Sequence, residues 1–172
     1  MNKLKKNLIL TGMMGSGKSV IGKSLSERLN MEFADTDSII EKRLSLSIVK
    51  IFETKGETFF RKIEVEESIK LIEKKGLVIA LGGGAFINDT IREKVKKSCF
   101  SVWLQLDIDK IFERTKNNQK RPLLNGINSI EELKKLYRKR KEIYSMADCK
   151  IDCNNREKNE IVEEIKKIYE NK

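Results

Sequence analysis

The sequence predicts an α/β chain, a parallel sheet covered by helices on both faces. Three observations predict it. Short apolar runs alternate with longer amphipathic runs through all 172 residues, the alternation that parallel strands and crossover helices produce. The run Leu77-Val78-Ile79-Ala80-Leu81 is apolar without a break, as a strand buried on both faces must be. The glycine-rich stretch Gly12–Ser19 lies between an apolar run and an amphipathic one, where a strand hands over to a helix.

Each element can be justified in turn. Leu8-Ile9-Leu10 reads as the first buried strand. A helix follows over about Lys18–Leu29, with Val20, Ile21, Leu25 and Leu29 turned inward. Phe33-Ala34 ends a second short strand. Helical patterns cover Ile39–Leu44 and Ile48–Lys55, the latter opening at Ser47, and a longer helix runs over about Thr58–Lys75. The strand Leu77–Leu81 ends in Gly82-Gly83-Gly84. A helix near Asp89–Lys96 leads to a strand over Phe100–Leu106, and Asp109–Arg114 starts another helix. Residues 115–128 are polar, with Asn117, Asn118, Asn125, Gly126 and Asn128, and read as a long loop. Ser129 with Glu132 forms a capping box for a helix through Tyr144. Lys150-Ile151-Asp152 is a last strand and Glu160–Tyr169 a last helix. The length suits one domain over residues 1–172, with no repeat or linker and a single proline, Pro122.

Composition removes whole classes of chemistry. There is no histidine, so no Ser-His-Asp or Cys-His nucleophile system, HExxH zinc site or imidazole base is available. Acid–base work falls to Asp, Glu, Lys or water. The net charge is +10, from 36 basic and 26 acidic residues. Such a balance suits nucleic acid or anionic small molecules. The basic set is 27 Lys and only 9 Arg, and most of the Lys alternate with Glu on helical stretches such as Ile161–Lys172, which describes a solvated face. Aromatic residues are 6% of the chain with no stacking pattern, so no specific nucleic-acid partner is expected. No apolar run approaches the 18 or so residues of a membrane span. Cys99, Cys149 and Cys153 are an odd number, which argues against a disulfide framework. Lys3, Lys5 and Lys6 before Leu8-Ile9-Leu10 faintly imitate a signal peptide, but the apolar run breaks at Gly12. A first strand and a cytoplasmic location are the expectation.

The strongest motif is Gly12-Met13-Met14-Gly15-Ser16-Gly17-Lys18-Ser19. It matches G-x-x-x-x-G-K-[ST] in full, with a strand before it and a helix after it. Glycines let backbone N–H groups curl around phosphate oxygens, and the helix N-terminus adds partial positive charge. Lys18 is placed to reach the β- and γ-phosphates and Ser19 to ligate Mg²⁺. The motif implies binding of ATP or GTP. The central apolar strand ends in glycines rather than a metal-binding Asp. Leu104-Gln105-Leu106-Asp107 imitates that Asp weakly. Better acidic candidates are Asp35 and Asp37, whose i, i+2 spacing on extended chain points both carboxylates to one side. Asp37 also suits an N-cap for a helix starting at Ser38.

Six motifs together resemble the shikimate kinases: Gly12–Ser19, Asp35-Thr36-Asp37, Phe60-Arg61-Lys62-Ile63-Glu64, Gly82-Gly83-Gly84-Ala85, Arg121-Pro122-Leu123-Leu124 and Arg140-x-x-x-Tyr144. The resemblance spans roughly Leu8 to Asp152. It implies a three-layer P-loop kinase fold with a five-stranded parallel sheet in order 2-3-1-4-5. It implies transfer of the ATP γ-phosphate to the 3-hydroxyl of shikimate, within aromatic amino-acid biosynthesis. By position, Asp37, Arg61, Gly82, Gly83, Gly84 and Arg140 look like the shikimate site, in a helical segment of about residues 36–64. Arg121 resembles the arginine of a lid, about residues 116–128, that touches both substrates. Gly12 to Val20, with Arg114 and Arg156, correspond to the ATP site, and Ser19 and Asp35 to the metal side. Lys18, Asp37 and Arg121 are the expected catalytic residues, and a monomer is implied.

Chemistry supports the same set. Arg61 and Arg140 can fork onto a carboxylate in a way Lys cannot copy. Asp37 can accept from hydroxyls, and Gly82–Gly84 permits close approach of a ligand. A loose phosphoryl-transfer transition state needs positioning and charge neutralisation more than a strong base. The main rival is a related P-loop kinase for a nucleoside monophosphate or a sugar acid, which shares the phosphate loop without requiring those arginines.

Overall fold

The structure, a computed structural model, describes residues 6–116 and 129–172. Five strands form the sheet: β1 (Asn7–Thr11), β2 (Glu32–Asp35), β3 (Leu77–Ala80), β4 (Cys99–Gln105) and β5 (Cys149–Asp152). Their order is β2-β3-β1-β4-β5, and every pairing is parallel. The helices are α1 (Lys18–Leu29), α2 (Thr36–Leu44), α3 (Ile48–Glu73), α4 (Asp89–Ser98), α5 (Ile108–Thr115), α6 (Ile130–Tyr144) and α7 (Lys158–Glu170). The expected parallel sheet and its strand order are both present.

Handedness arranges the layers. From β1 to β2 the chain moves one way across the sheet; from β2 to β3, β3 to β4 and β4 to β5 it moves the other. Right-handed crossovers therefore send α1 to one face and the later crossover helices to the opposite one. Accordingly α1 packs on α7, whereas α3 packs on α4 and α5 on α6. The adjacent strands β1 and β3 leave toward opposite faces, so a crevice opens at their C-terminal ends.

The central strands are apolar because both faces are covered. Leu8, Ile9, Leu10, Val78 and Ile79 are fully buried. One polar side chain among them is buried for its hydrogen bonds. Asn7 donates through Nδ2 to the carbonyls of Leu71, Ile72 and Lys74 (3.3, 3.1 and 2.8 Å), and its Oδ1 accepts from Leu77 N–H at 3.0 Å. It thereby ties the C-terminus of α3 and the start of β3 to β1. A second, smaller core of Ile40, Ile51, Phe60 and Ile63 lies between α2 and α3, apart from the main one.

Several expectations need correction. Val20 does not face inward; it is 60% exposed. The inner face of α1 is carried by Ile21, Gly22, Leu25 and Leu29, and Val20 instead borders the cleft beside Lys18 and Ser19. Asp37 is not the N-cap of the second helix. Asp35 caps it, accepting from Asp37 N–H and Ser38 N–H at 3.0 and 3.3 Å, and the helix starts at Thr36. Asp37 therefore lies in a first helical turn rather than on extended chain. The two helices expected before β3 join as α3, broken at Gly56 with φ 81° and ψ 168°. The capping box of Ser129 and Glu132 is formed. The loop and lid expected up to residue 128, with Arg121, Pro122, Leu123 and Leu124, lie outside the described residues.

Candidate active site

The crevice collects the loops after β1, β2 and β3. Gly12 turns the chain off β1 with φ 136°, and a Cβ there would stand 2.6 Å from the carbonyl oxygen of Leu104; only glycine fits. Gly15 and Gly17 also have positive φ, and Gly17 caps α1. Met13 and Met14 are buried, anchoring the loop, and Ser16 is buried within it. Lys18 is only 8% exposed, and its Nζ donates to the carbonyls of Gly12 and Met13 at 2.8 and 2.9 Å. The ammonium is thus held over the loop.

Ser19 Oγ donates to Asp35 Oδ2 at 2.5 Å. The other oxygen of Asp35 caps α2, so both oxygens are engaged and the carboxylate is held in one orientation. A cleft of about 310 Å³ is lined by Gly15, Gly17, Lys18, Ser19, Asp35 and Asp37, together with Val20 and Arg114. Arg114 donates to the carbonyl of Gly15 at 3.1 Å. Arg156 is farther along, donating to Asp152 O and paired with Glu164 at 2.5 Å. Arg156 and Arg114 both act on the thiol of Cys153, whose pKa burial pushes up to about 11. Asp107, the weak alternative to Asp35, is the N-cap of α5 and is not in the cleft lining.

Beyond this cleft the glycines after β3 approach three side chains. A Cβ on Gly82 would meet Asp37 Oδ1 at 2.6 Å and Glu64 Oε1 at 2.8 Å; on Gly84 it would meet the Arg61 guanidinium at 2.6–2.9 Å. Gly82 N–H donates to Thr36 Oγ1 at 2.8 Å, and this hydroxyl donates to Ala80 O at 3.3 Å, which locks β2 and β3 together at the site. The Gly83 carbonyl accepts from Tyr144 OH at 2.5 Å and from Arg140 Nη1 at 3.2 Å. Asp37, Arg61, Gly82, Gly83, Gly84 and Arg140 are therefore brought into one place beside the phosphate loop. Two guanidiniums, two carboxylates and backbone stripped of side chains border this place.

The comparisons decide the family. A profile of the family described as "Shikimate kinase" matches residues 14–170. The chain belongs to the shikimate kinase family. A shikimate kinase of Sulfurihydrogenibium sp. is 41% identical over 160 residues, covering 93% of this chain and 95% of that one. One from Thermodesulfovibrio yellowstonii is 42% identical over 166 residues, covering 96% and 95%. The solved structure of a shikimate kinase from Acinetobacter baumannii, in complex with shikimate, superposes with a TM-score of 0.92 at 34% identity, covering 98% of this chain and 95% of that one. A gluconokinase from Sinorhizobium meliloti, at 16% identity and a TM-score of 0.57, shares the fold alone.

One further residue of this shikimate kinase family member stands at the site without a role given by its motif. Glu64 is 2% exposed and accepts from Arg61 Nη1 at 2.6 Å. The i, i+3 spacing from Arg61 does not single it out, because α3 also buries Glu67 and Ser68 and carries other Lys and Glu. Burial raises its carboxyl above the ordinary range, with Asp37 pushing the same way, while Arg61 and Arg140 pull it back down. A carboxyl raised by folding weakens the fold as pH climbs through its folded value, because ionisation is then resisted. The difference in Tm between Glu64→Gln and the wild type should accordingly move in favour of the variant from about pH 4 to pH 7. Calorimetric scans across that range check it, and a shift the other way contradicts it.

Proposed function

We propose that the chain transfers the γ-phosphate of ATP to the 3-hydroxyl of shikimate, yielding shikimate 3-phosphate and ADP in chorismate and aromatic amino-acid biosynthesis. The observation that carries this reading is the meeting of Arg61, Arg140, Asp37 and Gly82–Gly84 at the edge of a complete phosphate loop. A nucleoside monophosphate would not call for this set, although a kinase for a sugar acid remains the closest alternative.

Arg61 and Arg140 grip the substrate carboxylate, and Gly82–Gly84 lets the ring approach the backbone. Asp37 orients the acceptor hydroxyl and, secondarily, takes its proton. Lys18 neutralises charge on the migrating phosphate. Gly12 to Val20, with Arg114 and Arg156, form the ATP side. Arg121 is assigned to both substrates, on the motif alone, in a lid over about residues 116–128. The unit comprises residues 1–172, a cytoplasmic monomer with shikimate and ATP as partners.

Mg²⁺ fits the residues present. Ser19 Oγ and Asp35 Oδ2 already meet at 2.5 Å, a hydroxyl and a carboxylate suited to a hard cation that keeps most of its waters and binds substrate phosphates. Among the described residues there is no larger acidic or thiol cluster for a resident metal. When bound, the ion would neutralise the β- and γ-phosphate oxygens. Among the described residues no helix is long and apolar enough to cross a membrane.

ADP production with ATP and Mg²⁺, with and without shikimate, tests the reading. Release that depends on shikimate, in preference to gluconate or nucleoside monophosphates, is the expected result. Equal release without shikimate overturns it. A finer expectation concerns the arginines. Arg61→Lys and Arg140→Lys should each weaken shikimate binding by about 1–3 kcal/mol, the worth of a hydrogen bond to a charged group. The KM for ATP should stay within about twofold, since neither residue lines the phosphate cleft. If ATP affinity fell as far as shikimate affinity, the two residues would belong elsewhere.

A further inference from the structure

Arg61 faces the site with two carboxylates already on its guanidinium. Glu64 Oε2 accepts from Nη1 at 2.6 Å and its side chain is 2% exposed. Glu57 Oε1 accepts from both Nε and Nη2 at 3.2 Å, and its side chain is 55% exposed. A forked grip on an incoming carboxylate needs two parallel N–H groups on one edge of the guanidinium. Nε with Nη2 is one such edge, and Glu57 occupies it. The other edge, Nη1 with Nη2, is shared with Glu64. A ligand carboxylate cannot fork onto Arg61 until one of these glutamates gives way.

The two glutamates are not equally able to do so. Glu64 is enclosed, so withdrawal would strand a buried charge. Glu57 is solvated, with longer hydrogen bonds. It directly follows Gly56, where the backbone leaves helical geometry at φ 81° and ψ 168° and where a side chain would meet nothing within 4 Å. Its carboxylate can turn into water at little cost. With Glu57 left in place, the incoming group would be a third carboxylate on one guanidinium, beside Asp37, whose charge also reaches Glu64. Like charges at that spacing repel.

We infer that Glu57 is a resident competitor of the substrate carboxylate. It holds the forking edge of Arg61 in the unliganded site and is displaced on binding, so it sets substrate affinity and favours ligands that bring a carboxylate of their own. The inference rests on the shikimate reading above.

The test uses Glu57→Gln and Glu57→Ala in the full chain. Isothermal titration with shikimate, and with the analogue whose carboxylate is replaced by a hydroxymethyl group, reads the displacement directly. For shikimate, Kd should fall about two- to five-fold in both variants, the range an exposed ion pair is worth. For the analogue, which has no charge to exchange with Glu57, the ratio of variant to wild-type Kd should be nearer one. The KM for ATP should not move. Shikimate binding that is unchanged or weaker in folded variants, or an equal gain for both ligands, overturns the inference while leaving the function intact. A wild-type protein that makes no ADP with shikimate removes both.

Discussion

Lys18→Ala should lower kcat by about a thousandfold and leave a folded protein. The ammonium is positioned before any nucleotide arrives, by the carbonyls of Gly12 and Met13. Its charge therefore already lies over the loop that is to receive the phosphates. A single preorganised group facing developing charge is worth roughly 3–4 kcal/mol of transition-state stabilisation. ATP binding should suffer less, because the loop backbone and the N-terminus of α1 still present N–H groups. The fold should persist because α1 packs through Ile21, Leu25 and Leu29, none of which depends on the lysine. Shikimate-dependent ADP release at saturating substrates, with a thermal scan beside it, checks both halves. Near-normal kcat would refute the role given to Lys18.

The largest effect on stability is expected far from the chemistry. Asn7→Ala removes the donor shared by three carbonyls at the end of α3 and the acceptor for Leu77 N–H. Asn7 is 1% exposed, so water does not readily replace it. Each buried group left without a partner costs about 1–3 kcal/mol, and a total near 3 kcal/mol is expected. In a chain of this size that lowers Tm by roughly 6–12 °C. Differential scanning calorimetry measures it. A fall of less than about 2 °C would mean that those backbone groups find other partners.

How much of this was legible in the sequence varies from residue to residue, for physical reasons. The phosphate loop was readable because its function dictates residue types at fixed spacing. The strands were readable because burial on both faces leaves unbroken apolar runs, as at Leu77–Leu81. Val20 was misread because an apolar residue beside a binding cleft has the same letter as one in the core. The cap was misassigned because Asp35 and Asp37 are both good capping residues, and only the end of β2 decides between them. Glu64 was missed as a participant because burial of a charge is a tertiary fact. On a helix rich in Lys and Glu, nothing local separates Glu64 from its solvated neighbours. Asn7 lay at the edge of an apolar strand, and its partners are some 64 to 70 positions away.

The small core formed by Ile40, Ile51, Phe60 and Ile63 has a consequence for how the molecule comes apart. It is separate from the main cluster that contains Trp103, the sole tryptophan. A satellite of four buried side chains opens at less cost than the sheet does, so this region is a candidate for sub-global unfolding. In mild denaturant, the helices carrying Asp37 and Arg61 would loosen while indole fluorescence still reported an intact sheet. The protein would then be spectroscopically native yet blind to its acceptor, and its phosphate loop could still hold nucleotide.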